Sequence, residues 1–250
     1  MLNPRLIGDV QAAVAFLTRL PVGAPDRPLA RACWAFPIAG LLVGGAGGVV
    51  FAAADAAGLS GPVAALLAVA AMAVASGALH EDGLADTVDG LGGGAMPERK
   101  LEIMRDSRSG VFGVLALIFS VALRAAAIAA IADPGAVMAA LLAASALSRG
   151  LLAGMMHALP LASKDGLAAA AGRPGSGVVW SAVGLGGAVA VALFGAAAGI
   201  GALAIGVIGV AVVAALARQQ IGGYNGDSLG AAQQVAETAV LIVISAQSAQ

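Results

Sequence analysis

Runs of about 20 apolar residues recur along this chain, and they leave it little choice of fold. A helix needs roughly 20 apolar residues to cross the hydrocarbon layer of a bilayer. Such segments are read at about 34–57, 61–79, 111–131, 136–159 and 178–200, with residues 205–216 inside a sixth and a last helix from 229 to about 246. Only 11% of residues are charged, against about 25% in an average soluble domain. A transmembrane barrel would alternate apolar and polar residues, and these runs do not. The reading is an all-α protein, a polytopic integral membrane helical bundle. It has about six to seven transmembrane helices and short interfacial helices, in a single domain over 1–250.

Outside the spans, residues 1–31 form a segment with Arg5, Arg19, Arg27 and Arg31, read as a surface helix ending near Pro21. No apolar stretch there ends at a small-residue cleavage site, so no cleavable signal peptide is expected. Cys33 is the single cysteine, which excludes an intrachain disulfide. No basic stripe suggests a nucleic-acid partner. Of the 13 Lys and Arg residues, only Arg124 and Arg149 fall inside spans. The rest lie in the N-terminal segment and in loops at about 80–109, 160–177 and 217–228, alternating with links at about 57–61, 132–135 and 201–204 that contain neither Lys nor Arg. The basic loops therefore face the cytoplasm. Gly40, Gly44 and Gly48 share one helix face and predict close helix packing.

The polar chemistry is concentrated in three stretches at that face. HEDGLADTVDG (80–90) packs four acids into ten residues of a chain that has 14 in all. It is read as a helix continuing out of the second span. At about 100° per residue, Asp82, Asp86 and Asp89 form one stripe, with Glu81 pointing away and His80 opposite. Carboxylates so placed repel unless a cation neutralises them. Mg²⁺ suits them, because it takes one or two carboxylates and completes its shell with waters and phosphates. Gly83 and Gly90 are expected to leave room for a ligand. A solvated helix end, a cation pathway and prenyl-diphosphate chemistry stay open at this point.

In IMRDSRSGVFG (103–113), Arg105 and Arg108 flank Asp106. Guanidinium matches phosphate bidentately, although ordinary surface pairing explains the same residues. In NGDSLGAAQQVAE (225–237), Asp227 is either the cap of the last helix or the start of a polar stripe. Glu237 lies deep in that helix and needs a partner, for which Arg124 and Arg149 are available. Lys164 sits in the basic loop between.

Together these residues resemble the integral-membrane cobalamin synthase family, the adenosylcobinamide-GDP ribazoletransferases. The resemblance rests on HEDGLADTVDG, ERKLEIMRDSRSGVFG and NGDSLGAAQQVAE, with FLTRLPVG and WAFPIAGLLVG at the beginning, and covers essentially the whole chain. Ser228 stands where the family commonly has Thr, which keeps the hydroxyl. The resemblance implies a Mg²⁺-dependent reaction at the bacterial inner membrane, with the site facing the cytoplasm. A hydroxyl of α-ribazole, or of its 5′-phosphate, attacks the cobinamide-bound phosphorus of adenosylcobinamide-GDP and releases GMP. On that basis Asp82 and Asp86 are expected to hold Mg²⁺. Asp89 would complete a second ion site or take the hydroxyl proton, Asp106 is the other candidate base, and Asp227 would anchor a ligand. Arg105, Arg108 and Lys164 would offset phosphate charge. The substrates and the lipid bilayer are the implied partners, and self-association into a homo-oligomer is left open. A membrane prenyltransferase and a cation-coupled transporter are the competing readings, and GMP release separates both from the first.

Overall fold

Every apolar run becomes helix in a computed structural model of the chain, which describes residues 3–23 and 27–248. Ala24, Pro25 and Asp26 of the basic N-terminal segment lie outside the described residues. Helix α1 (Pro4–Leu17) starts where the Asn3 side chain accepts the Arg5 N–H and a proline takes the first position. It ends at Thr18, whose hydroxyl donates to the Val14 carbonyl at 2.7 Å. Helix α2 (Leu29–Ala32) and a 3-10 turn lead into α3 (Phe36–Ala56). There follow α4 (Gly61–Ser76), α5 (Leu79–Gly93), α6 (Pro97–Met104), α7 (Val111–Ile131) and α8 (Pro134–Ala158), then α9 (Leu167–Ala171), α10 (Ser176–Ile221) and α11 (Gly226–Ser248).

The stretch Leu29–Ala56 and helices α7, α8, α10 and α11 are long and apolar enough to cross a membrane, whereas α4 and α5 qualify only as a pair bent by 93°. Helix α10 has 46 residues, which would make a rod of about 69 Å, more than twice a hydrocarbon core. It is broken at Gly195, where φ is 79° and ψ is 169°. A Cβ on Gly199 would meet the Val191 backbone at 2.6 Å, and one on Gly187 would meet Leu203 at 3.5 Å. Residues four and eight positions either side of the break thus face each other, and α10 is an antiparallel hairpin. The turn expected at 201–204 is therefore at Gly195. Only glycine takes that backbone conformation without strain.

Helix α8 is the central post, packed on α3, α10 and α11. Gly40 and Gly44 rest directly on the Ser145 and Leu141 carbonyls of α8, and Gly48 rests on Met138. The predicted glycine face is thus the α3–α8 contact. Outward, Val111, Phe119 and Trp180 are at least 62% exposed, as side chains facing lipid tails are. All the Lys and Arg residues outside the spans lie at one end of the bundle, which carries α1, α2, α6 and α9.

The interior, by contrast, is charged. Glu237 of α11 is 1% exposed and accepts from Arg124 of α7 at 3.3 Å and from Arg149 of α8 at 3.0 Å. Ser145 and Gln233 also donate to it, at 3.0 and 2.7 Å. Arg124 makes a second ion pair, at 3.2 Å, with Glu81 of α5. Two guanidiniums thus face two carboxylates, which ties four helices together without net charge.

Replacing Glu237 by Gln leaves two buried guanidiniums to one carboxylate. Loss of one partner of a buried pair costs about 3–5 kcal/mol, so the melting temperature of the detergent-solubilised variant should fall sharply. Gly44→Leu should destabilise by about 1–3 kcal/mol or more through overpacking. Gly45→Leu, whose Cβ meets nothing closer than 3.8 Å, should melt close to the parent chain.

Candidate active site

Two residues between α4 and α5 aim the acidic segment. Gly77 (φ 66°) and Ala78 (φ 55°) are both left-handed, a conformation that costs an ordinary residue about 1–2 kcal/mol. The acidic helix is therefore not the continuation of the second span that the sequence suggested. It turns away from α4 and crosses α11 where Gly83 meets Gly230, a Cβ on Gly83 coming within 2.8 Å of the Asp227 carbonyl. Gly90 likewise packs on Met104 and Lys100 of α6. These two glycines admit neighbouring helices, not a ligand as expected.

The crossing sets the stripe beside the first turn of α11. Asp82 is exposed and Asp86 half-buried. Among the described residues neither makes an ion pair or a side-chain hydrogen bond, and the carboxylates of Asp82, Asp227 and Asp89 all bear repulsively on Asp86. Asp227 also feels Asp82, an effect Arg105 partly offsets. Asp227 is not the cap of α11. Asn225 Oδ1 accepts the Ser228 N–H while Ser228 Oγ accepts the Asn225 N–H, both at 2.9 Å. This reciprocal capping box occupies the Ser228 hydroxyl and leaves one Asp227 oxygen free, the other accepting from Asn225 at 2.8 Å.

Asp89 has a separate task. Its carboxylate is buried and accepts the Gly110 N–H at 2.6 Å and the Gly113 N–H at 2.8 Å, so it caps α7. Side chains at 110 or 113 would collide with it, which accounts for both glycines of SRSGVFG.

The basic residues divide. Arg105 donates to Ser163 at 2.7 Å, joining the loop after α6 to the loop that carries Lys164. Arg108 binds Asp106 with two nitrogens. Those hydrogen bonds hold the Asp106 carboxyl down at about 2, so it stays an anion and a weak proton acceptor. Lys164 is exposed, without an ion pair among the described residues. Pro160 and Ala162 pair with Tyr224 through backbone hydrogen bonds of 2.8–2.9 Å, stitching the Lys164 loop to the start of α11. Lys100, not singled out in the sequence, is 8% exposed and donates to the Leu91 carbonyl and to Gln220, both at 2.8 Å.

A cavity of about 160 Å³ opens beside Asp82 and Asp227. The first turns of α5 and α11 both face it, and their positive ends favour anions. His80 lines it too, although it was expected opposite Asp82. On a helical wheel His80 and Asp82 flank Leu79 within an arc of about 160°, and the cavity opens over that whole arc. Glu81, set aside in the sequence, closes the buried charge network; two span arginines against one Glu237 already called for a second acid. Among the described residues, no three or more His, Cys, Asp or Glu side chains are arranged to hold a metal ion by themselves.

The chain matches the family described as Cobalamin-5-phosphate synthase over residues 9–245. It is 49% identical to the adenosylcobinamide-GDP ribazoletransferase of Bradyrhizobium diazoefficiens, covering 96% of this chain and 94% of the relative. It is 47% identical to that of Mesorhizobium japonicum, covering 98% and 95%, and 42% identical to that of Azorhizobium caulinodans, covering 97% of each. No solved structure matches.

Asp89→Asn keeps one acceptor oxygen for two N–H groups and points an amide at the other. The variant should lose about 1–3 kcal/mol, read as a lower melting temperature in the absence of substrate and Mg²⁺.

Proposed function

We infer that this chain, which belongs to the cobalamin-5-phosphate synthase family, carries out the transfer its relatives are named for. A hydroxyl of α-ribazole, or of its 5′-phosphate, attacks the phosphorus attached to cobinamide in adenosylcobinamide-GDP. The new P–O bond forms as the bond to GMP breaks, and the hydroxyl proton passes to a base. The observation that carries this reading is the pair of unpartnered carboxylates, Asp82 and Asp86, the first of which lines the cavity that Asp227 and two helix starts share.

Mg²⁺ suits this donor set. Asp82 and Asp86 supply hard oxygens whose mutual repulsion no cation among the described residues relieves, and two carboxylates are as many as Mg²⁺ ordinarily takes from protein. Bound there, the ion would neutralise diphosphate oxygens and stabilise the leaving phosphate. Asp227, with an oxygen free at the cavity, is placed to take the hydroxyl proton. Arg105 acts on Asp227, and Lys164 lies on the loop joined to Arg105 through Ser163 and to the start of α11 through Tyr224; both would offset phosphate charge. Arg108 reaches substrate only on leaving Asp106, so Asp106 holds it ready. Asp89 serves by fixing the α7 end on which the stripe rests. The basic end of the bundle faces the cytoplasm of a bacterial inner membrane, where the nucleotide substrate is. The relatives named above are ribazoletransferases, which favours this transfer over prenyl transfer and cation transport.

Asp82→Asn and Asp86→Asn should each reduce GMP release from adenosylcobinamide-GDP by at least about 10²–10³-fold, with melting temperatures unchanged or higher because repulsion is relieved. Full turnover by either variant would remove the metal assignment.

A further inference from the structure

The cavity below the carboxylates has a chemistry that the transfer itself does not explain. Its walls are apolar: Phe36 of α3, Leu152 and Met156 of α8, and Leu29, with Phe16 of α1 stacked on Phe36 at 6.4 Å between ring centroids. Its polar groups are few. Asp82 and Asp227 stand on one side, and His80 is the remaining polar side chain of the lining. The imidazole of His80 is 2% exposed and makes no hydrogen bond among the described residues. Buried polar groups are ordinarily paired, and this ring, part of the cavity lining, has a hydrogen bond left to give.

We propose that this cavity seats the apolar heterocyclic base of the acceptor nucleoside, with His80 hydrogen-bonded to its free ring nitrogen. The assignment rests on the ribazoletransferase reading and decides which part of which substrate lies here. Size excludes the corrinoid. Pockets for drug-sized ligands run to roughly 300–1,000 Å³, and a cavity of about 160 Å³ holds one or two fused rings. Guanine fits less well: Asp82 and Asp227 can accept from its N–H groups, but His80 is the one side-chain donor for its several acceptors, and the others would be buried against Leu, Met and Phe. A benzimidazole riboside has a wide apolar face and one free ring nitrogen, which accepts the single hydrogen bond a neutral imidazole can donate. Its ribose then projects toward Asp82 and Asp227, where the attacking hydroxyl is needed.

The test uses the purified full chain in detergent or nanodiscs and follows GMP release. His80→Ala should raise the KM for α-ribazole about tenfold or more and leave the KM for adenosylcobinamide-GDP within about twofold, since a site's unpaired polar group discriminates strongly. His80→Gln, which keeps a donor, should recover part of the loss. On the unaltered protein, free benzimidazole should inhibit competitively against α-ribazole and not against adenosylcobinamide-GDP, while guanosine should not compete with α-ribazole. This last measurement needs no variant to fold. An unmoved acceptor KM in His80→Ala, or benzimidazole competing with the donor, overturns the pocket assignment and leaves the enzyme reading intact. Absence of GMP release by the unaltered protein overturns the enzyme reading itself, and the pocket assignment with it.

Discussion

Glu237 is the interaction on which the bundle closes. A carboxylate so deep in a membrane helix is unfavourable unless paired. Here it holds Arg124 and Arg149 from two other helices, and Arg124 carries the link on to Glu81 at the start of the acidic helix. Between lipid-facing helices the hydrophobic effect gives no preference for one arrangement over another. A charge-neutral cluster whose ion pairs form only when α5, α7, α8 and α11 meet supplies that preference. The same cluster places the first turn of α5 against α11, and the site follows from that placement.

The active end is built from loops that bind one another. Arg105 to Ser163 and Tyr224 to the 160–162 backbone join three separate connections, while Lys100 fastens the last turn of α5 to the end of α10. Asp89 ties α5 to the start of α7. Among the groups left without a partner, four gather at this end: Asp82, Asp86, one oxygen of Asp227, and the imidazole of His80.

Much of this was legible in the sequence. Run length and the distribution of Lys and Arg gave the helical bundle and its charged end, and the three polar stretches do converge there. The path of the chain was harder to read. In VALFGAAAGIGALAIG nothing polar marks a turn, and several glycines compete for it, so Gly195 was indistinguishable from its neighbours. The bend at Gly77–Ala78 depends on an alanine in a left-handed conformation, which no residue preference announces. Helical spacing put Asp82, Asp86 and Asp89 on one stripe, but only three-dimensional contact shows that the third caps α7. Asn225 took the capping role that Asp227 was a candidate for.

The crossing of Gly83 on Gly230 has a mechanical consequence. Spans tilt to match the thickness of the lipid around them, and two helices whose backbones touch at glycine tilt about the point of touch. If α11 swings by about 10°, its far end, some 27 Å from the crossing, is displaced by roughly 5 Å, while Asp227, one turn away, shifts by under about 1 Å. The carboxylates sit next to the pivot, so the reacting end of the protein is insulated from the elastic state of the bilayer that holds it.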